Sequence, residues 1–544
     1  MRFTPYKTTM KRVLLIALFC VSTFVAQAQS QEFQLGKSLE IENSILREIA
    51  GGYVDTVNFE KMMTAGINAM LATLDPYTVY YPEEEEEDLE LITTGFYGGI
   101  GALIRKAPDE GVKIMEPYED SPAAKAGIEP GDVIISIDGT TVYGETSDQS
   151  SSRMKGQPGT DVKFELVKGR GGDTVNVVVT RERIHVSDVE YYGMLRDSIG
   201  YIFLSGFKEN LAKEVKDAVK DLKEQGARRL VIDLRDNGGG IMDEAISLVS
   251  LFVPKGTKVV SSKGRIPSMN HEYFTTENPL DTLIPLLVMV NSSSASASEI
   301  TAGALQDLDR ATIAGKRTFG KGLIQSIRSI PYNSQVKLTT GKYYTPSGRC
   351  VQAIDYSHRN EDGSVGYVPD SLKREFKTRN GRSVYDGGGI APDIEVDAHL
   401  YSRTTVSLVY NEVIGDFAIE YYKQHESIPQ AEDFHLSDED YADFVKFAAA
   451  QDVDFRSSAE TALDQLVSSA KQDGLYEEFK AEIDALSAKI KMEKESVLNA
   501  ANIKSEIVPL IEAEIVTDYY FKRKANIISL RYDSQLDEAL NQWK

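Results

Sequence analysis

The segment from Pro285 to Leu305 constrains this chain more than any other. Apolar Pro285-Leu286-Leu287-Val288-Met289-Val290 runs into Asn291-Ser292-Ser293-Ser294-Ala295-Ser296-Ala297-Ser298-Glu299, and Ile300-Thr301-Ala302-Gly303-Ala304-Leu305 continues as a helix. A short unbroken apolar run reads as a buried strand, and strand–turn–helix is the building unit of an α/β core. Such a turn holds a hydroxyl at a sharp bend, beside the free N–H groups of the helix that follows. Ser296 to Glu299 also fits a capping box, with Ser296 capping and Glu299 reaching back, and taken alone that is its commoner use.

Lys321 follows in Thr318-Phe319-Gly320-Lys321-Gly322-Leu323-Ile324-Gln325. Serine and lysine without an obvious histidine point to a hydrolase whose general base is a lysine. The six histidines, His185, His271, His358, His399, His425 and His435, show no zinc-binding spacing. No phosphate-binding loop or dinucleotide fingerprint is present, and no cofactor is expected. Cys350 has no adjacent base in Tyr344-Thr345-Pro346-Ser347-Gly348-Arg349-Cys350 and reads as structural.

At the N-terminus, Lys7, Lys11 and Arg12 precede apolar Val13 to Val21, and Ala26-Gln27-Ala28 offers a cleavage site. Residues 1–28 are therefore expected to be an export signal, with the mature chain starting at Gln29. Only Cys350 would then remain, so no disulfide scaffold is expected. The 544 residues carry a formal charge of −23, which argues against nucleic acid as a partner. The run Glu83 to Asp88 reads as a solvated surface.

Along the mature chain the texture changes three times. Residues 29–94 repeat apolar positions at helical spacing until Leu74-Asp75-Pro76-Tyr77-Thr78, where proline ends the pattern. From Gly95 come short strands and glycine turns: Gly95-Phe96-Tyr97-Gly98-Gly99-Ile100-Gly101, then Ser121-Pro122-Ala123-Ala124-Lys125-Ala126-Gly127-Ile128, then Pro130-Gly131-Asp132-Val133-Ile134. Residues 185–400 alternate strands and helices, including Arg229-Leu230-Val231-Ile232-Asp233-Leu234 leading into Arg235-Asp236-Asn237-Gly238-Gly239-Gly240. Residues 401–544 are helical by pattern, carry no catalytic motif, and read as a solvated bundle or a contact surface.

The glycine loop followed by S-P-A-x-x-A-G-I and P-G-D-x-I resembles a PDZ domain over 95–184. In that family a glycine loop takes a peptide's C-terminal carboxylate and a strand edge takes the rest, which implies that Gly98, Gly99, Ile100 and Gly101 bind peptide. With D-L-R-x-N-x-G-G at 233–240, S-A-S-A-S-E at 294–299 and T-F-G-K-G at 318–322, the chain resembles the C-terminal processing peptidases, or tail-specific proteases. The resemblance runs from about Leu74 to Asp393 and leaves out the C-terminal helices.

It implies a multidomain α/β fold, with a crotonase-like peptidase core, an inserted, mainly β PDZ domain, N-terminal helices and a helical C-terminal extension. Carried over by position, Ser296 is the nucleophile, Lys321 the general base, and Gln325 orients the lysine. Ala297 and, of the glycines, Gly240 would donate to the oxyanion. A base lysine must be neutral, and Phe319, Leu323 and Ile324 are expected to wall it from water. The implied activity is endoproteolysis of proteins with apolar C-termini, in the periplasm or cell envelope, with an envelope adaptor or a second copy of the chain as further partners. A silent core that leaves the PDZ domain as a binding scaffold is the alternative.

Overall fold

Residues 32–107, 111–454, 458–490 and 494–543 are described by the computed structural model, and the export signal read at 1–28 lies outside them. The chain divides into two units, Met1–Tyr80 and Tyr81–Lys544. In the first, a helix over 32–52 precedes α1 (Phe59–Ala72), which Asn58 caps by accepting from the Lys61 amide at 2.9 Å. Asp75 then closes the turn: its carboxylate accepts from the amides of Tyr77 and Thr78, at 2.8 and 2.9 Å, and from the Thr78 hydroxyl. An acidic side chain that takes up local amides stops a helix as surely as the proline beside it.

The second unit begins with α2 (Glu86–Thr94), ended by the left-handed Gly95. A PDZ-type sheet follows, built from β1 (Phe96–Gly99), β2 (Ala102–Ala107), β3 (Gly111–Pro117), β4 (Val133–Ile137), α3 (Ser147–Met154), β5 (Asp161–Val167), β6 (Thr174–Thr180) and β7 (Glu182–His185). The main sheet runs β2-β3-β4-β5-β6, all antiparallel, with β2 at its edge and α3 beside it. Ile114, Ile134, Ile137, Phe164 and Leu166, each inward-facing on its strand, fill the core. β1 leaves this sheet to pair with β7, so the 98–101 loop leads straight into the edge strand.

The next sheet leads into the Ser296 turn. It comprises β8 (Val189–Met194), β9 (Ile199–Leu204), β10 (Arg229–Asp233), β11 (Leu286–Val290), β12 (Thr312–Gly315) and β15 (Ile394–Glu395) in that spatial order. Only the β8–β9 pair is antiparallel. Crossover helices α4 (Leu211–Glu224), α5 (Met242–Ser250) and α6 (Ala297–Asp307) connect the parallel strands, while β13 (Leu323–Ser329) and β14 (Gln335–Tyr344) form an antiparallel arm off the main sheet. β11 is buried at every residue, as a strand covered on both faces must be. Its alternation shows what covers it. Val288 and Val290 join Ile232, Ile300 and Leu305 in one core, whereas Leu287 and Met289 join Tyr201 and Val231 in another.

That second face is sealed by the C-terminal region. Helices α7 (Arg403–Tyr410), α8 (Val413–Gln424), α9 (Asp438–Ala450) and α10 (Ala501–Arg531) share a core of Leu408, Phe417, Phe444, Ile507, Ile511 and Ile528. Beyond it, α11 (Ser534–Gln542) and the residue after it lay Leu536, Ala539 and Trp543 onto the six-stranded sheet. Arg229 stacks on the Trp543 ring and donates to its carbonyl at 2.9 Å. The expectation of a solvated bundle is therefore corrected: the last helix supplies a wall of the α/β core. Burying Leu536 and Trp543 contributes roughly 1.5–3 kcal/mol each.

α10 is interrupted at Phe521, whose backbone leaves the helical region at φ 66° and ψ 161°. The break frees the Lys522 amide, which donates to Glu116 of β3 at 2.9 Å. Arg105 of β2 pairs with Glu412 and Asp416, Lys113 of β3 reaches Asp416 at 3.2 Å, and Arg170 stacks on Tyr422 while donating to its carbonyl. The PDZ-type sheet is thus fastened by charge to the helices behind it.

Candidate active site

The sharp turn that sequence places before α6 has an unusual backbone. Ser296 sits at φ 56° and ψ −112°, where a side-chain-bearing residue is strained by about 1–3 kcal/mol. Such strain persists only where neighbours over-determine it, and here they do. The Ser296 amide donates to Glu299 Oε2 at 2.9 Å. Ser294 Oγ donates to the Leu234 carbonyl at 2.7 Å, and the Ala295 amide to that of Asn237 at 3.0 Å.

Asn237 ties this turn to the glycine loop after β10. Fully buried, it donates to the Leu204 carbonyl at 2.8 Å, while its Oδ1 accepts from the Gly239 amide and the Ser298 hydroxyl, both at 2.9 Å. Gly239, at φ 92°, packs so tightly that a Cβ there would lie 2.6 Å from the Ala295 carbonyl oxygen and 2.8 Å from the Ala297 nitrogen. Only glycine fits. Gly240 is held against Phe207, whose carbonyl accepts from the Ile241 amide at 2.7 Å.

Glu299 is the knot of the site. Wholly buried, its carboxylate accepts from the Ser296 and Lys321 amides on one oxygen, and from the Gly320 amide (2.7 Å) and Thr318 hydroxyl (2.6 Å) on the other. Burial pushes its carboxyl up from the ordinary range, against the pull of those four donors. Tyr343 adds a second tie, its buried hydroxyl donating to the carbonyls of Lys321 (2.7 Å) and Ser296 (3.1 Å). Both residues hold the serine turn and the lysine loop in one frame. Neither role was read from sequence, where Glu299 figured only as a capping partner.

A cavity of about 440 Å³ opens here, lined by Ser296, Lys321, Gln325 and the glycines Gly238, Gly239 and Gly240. Its apolar walls include Leu323 and Ile324, as expected, and also Leu89 and Ile92 of α2 and Ile300 of α6. Phe319 is not among them. It is 41% exposed and lines a separate hollow with Arg317 and Tyr367, because its amide is turned to the Ser294 carbonyl. Gln325 donates from Nε2 to Thr339 Oγ1 at 3.2 Å, its cross-strand partner on β14. Ala297 is buried as the first residue of α6. Cys350 is free, and burial pushes its thiol up, away from the reactive thiolate.

At the other candidate site, Ile100 is buried in the PDZ core and offers its backbone rather than its side chain. Gly98 abuts the Gly156 carbonyl, which a Cβ would approach to 2.1 Å, and Gly101 takes φ 72°. His271 stands on an exposed strand beside Tyr273, outside the cavity. Among the described residues no cluster of His, Cys, Asp or Glu is arranged for a metal ion, and no helix is long and apolar enough to cross a membrane.

A strained serine at a helix N-terminus, facing a glycine loop and a lysine across an apolar-walled cleft, is the arrangement of a serine-type peptidase. The pattern of peptidase family S41 matches residues 198–358, that of a PDZ domain matches 95–183, and that of a C-terminal helical domain of probable PDZ-proteases matches 404–542. The chain is 34% identical over 345 residues to a carboxy-terminal-processing protease of Bartonella bacilliformis, covering 62% of this chain and 79% of that one. It is 40% identical over 306 residues to a carboxyl-terminal-processing protease of Synechocystis, covering 55% and 70%. A solved photosystem II D1 C-terminal processing protease aligns at 28% identity and TM-score 0.34, covering 65% of this chain and 86% of that one. The chain belongs to the carboxy-terminal-processing proteases of peptidase family S41.

Proposed function

We propose that the protein is an exported endopeptidase that captures the apolar C-terminal tail of a protein substrate on its PDZ domain and cleaves it with Ser296 and Lys321. The observation that carries this reading is the common frame: Glu299 and Tyr343 each bond the backbone of both residues, and both side chains line one cavity.

For this role Lys321 must act as the neutral amine, a form that apolar walls favour, and it takes the Ser296 proton as the hydroxyl attacks the scissile carbonyl. Nε2 of Gln325 is engaged by Thr339, so its oxygen is the end that can accept from the lysine ammonium and steer it. The Gly239 amide is committed to Asn237, which favours the Gly240 amide, with that of Ala297, as donors to the tetrahedral oxyanion. The lysine then returns its proton to the leaving amine, and water hydrolyses the acyl-enzyme. No cofactor enters this scheme.

The tail's carboxylate would meet the amides of Gly98, Gly99, Ile100 and Gly101, and its backbone would add to the edge strand β2. Export to the periplasm or envelope rests on the leader pattern of residues 1–28, and fractionation of cells tests it. An envelope adaptor, or a second copy of the chain, remains part of the proposal for how substrates are delivered. The catalytic reading is tested with purified wild type, Ser296→Ala and Lys321→Ala on an unstructured protein ending in small apolar residues. Cleavage by the wild type alone is expected, and cleavage surviving in Ser296→Ala would move the nucleophile elsewhere.

A further inference from the structure

A second cavity, of about 540 Å³, lies where the PDZ edge strand meets the C-terminal helices. Leu103, Ile104 and Arg105 of β2 and Glu116 of β3 line one side, Ser147 at the start of α3 lies at its margin, and residues of α8 and α10 line the other. A tail added to β2 alternates its side chains, one set towards α3 and the other towards the opposite face of the sheet. That opposite face bears Leu103 paired with Glu116, and Arg105 paired with Lys113. Here it looks onto the helices rather than onto water, since Arg105 and Lys113 both reach Asp416.

The chemistry of the cavity has one sign. Among the described residues Arg105 is its only lining cation, and it is already paired with Glu412 and Asp416. Lys522 gives its amide to Glu116, and its ammonium, 3.3 Å from Glu190, also acts electrostatically on Glu116 and Glu514, though not on Asp518. That leaves Glu116, Glu514 and Asp518 around the space, and Asp518 Oδ2 is buried with no hydrogen-bond partner. Burial, together with repulsion from Glu514 and Glu116, raises the Asp518 carboxyl well above its ordinary range. Met115, Ile414, Ile419 and Leu510 supply apolar wall between them. An aliphatic stem ending in a positive charge fits both features.

We infer that this cavity is a second substrate subsite, which takes a lysine or arginine side chain lying a few residues before the apolar end of a tail bound on β2. The inference rests on the tail-binding reading of the PDZ domain. It makes the C-terminal helices part of the specificity apparatus: the PDZ loop would read the end of the tail while the helices read charge upstream.

The test uses full-length Ser296→Ala, which cannot cleave, and fluorescent peptides sharing one apolar end. A single lysine is stepped through the five positions before the last residue, with norleucine and glutamate at the same positions as controls. Fluorescence anisotropy should show at least one position where lysine binds about 5–20-fold tighter than norleucine, with glutamate weaker than both. In Glu514→Gln/Asp518→Asn that advantage should vanish, with the norleucine peptide's affinity unchanged as evidence that the site is folded. Glu514→Gln alone should lower the advantage should the double variant not fold. Lysine and norleucine binding alike at every position, or a lysine preference that survives in the carboxamide variants, overturns the subsite and leaves tail binding intact. If no peptide binds, or if a C-terminal amide binds as well as the acid, the tail reading itself falls and the subsite with it.

Discussion

Replacing Glu299 with glutamine tests whether the catalytic frame depends on a carboxylate. The side chain is completely buried and accepts four hydrogen bonds, from the amides of Ser296, Gly320 and Lys321 and from Thr318 Oγ1. A carboxamide keeps one accepting oxygen and turns an NH₂ group towards donors on the other side. At best two of the four bonds survive, and two donors are left facing a donor. Hydrogen bonds to a charged group contribute about 1.5–3 kcal/mol each, so Glu299→Gln should destabilise the fold by about 3–6 kcal/mol. The cost falls on the two loops that carry Ser296 and Lys321, so on the proposed mechanism the surviving folded enzyme should lose kcat rather than gain KM. A fall of at least about 100-fold is expected, since misplacement of reacting groups by about 1 Å costs that much. Urea denaturation in a Ser296→Ala background isolates the stability term from self-cleavage. Cleavage kinetics in the otherwise wild-type chain read the second. A variant within 1 kcal/mol of the parent, with kcat intact, would refute the claim that this carboxylate aligns the site.

Four further outcomes follow from the same geometry. Gly239→Ala should abolish turnover while leaving secondary structure intact by circular dichroism, because its Cβ would land 2.6–2.8 Å from the Ala295, Ser296 and Ala297 atoms. Tyr343→Phe removes one buried hydroxyl shared by two carbonyls and should cost about 1–3 kcal/mol by thermal or urea melting, with kcat lowered. Asp533→Ala strips one partner from buried Arg235, which also grips Asp233, and should destabilise by about 3–5 kcal/mol, read by the same melts. Glu116 and Asp518 have carboxyls raised by burial, so their favourable share of stability is full below the ordinary carboxylate range and is lost as pH rises through their raised values. Stability measured across mildly acidic pH should therefore fall with rising pH, and Glu116→Gln/Asp518→Asn should flatten the slope.

Much of the candidate site's geometry was legible because it is local. Ser296 at a strand–helix bend, Gly239 and Gly240 after an apolar strand, and the PDZ glycine loop each declare themselves within ten residues. Glu299 was half legible: a capping box accounts for its bond to the Ser296 amide, but its bonds to Thr318, Gly320 and Lys321 exist only once the loops meet. Tyr343 gave no signal at all, being one aromatic in a strand until it reached the Ser296 carbonyl 47 residues away. The last helix was misread for a physical reason. Leu536, Ala539 and Trp543 sit among acids and amides in a short amphipathic stretch, and periodicity says that one face is apolar without saying what it meets. Phe319 failed as a wall because sequence adjacency to Lys321 does not fix the direction of a side chain in a turn.

The bond between Arg235 and Asp533 spans 298 residues of chain. At about 5–20 residues per second, a ribosome needs roughly 15–60 s to travel from one to the other. Throughout that interval the loop bearing Gly239 and Gly240 exists without its anchor, and the sheet beneath it lacks the cover of Leu536 and Trp543. The packing around the Gly239 turn is therefore finished by a stretch of chain made some three hundred residues later, which makes its completion a late step of folding.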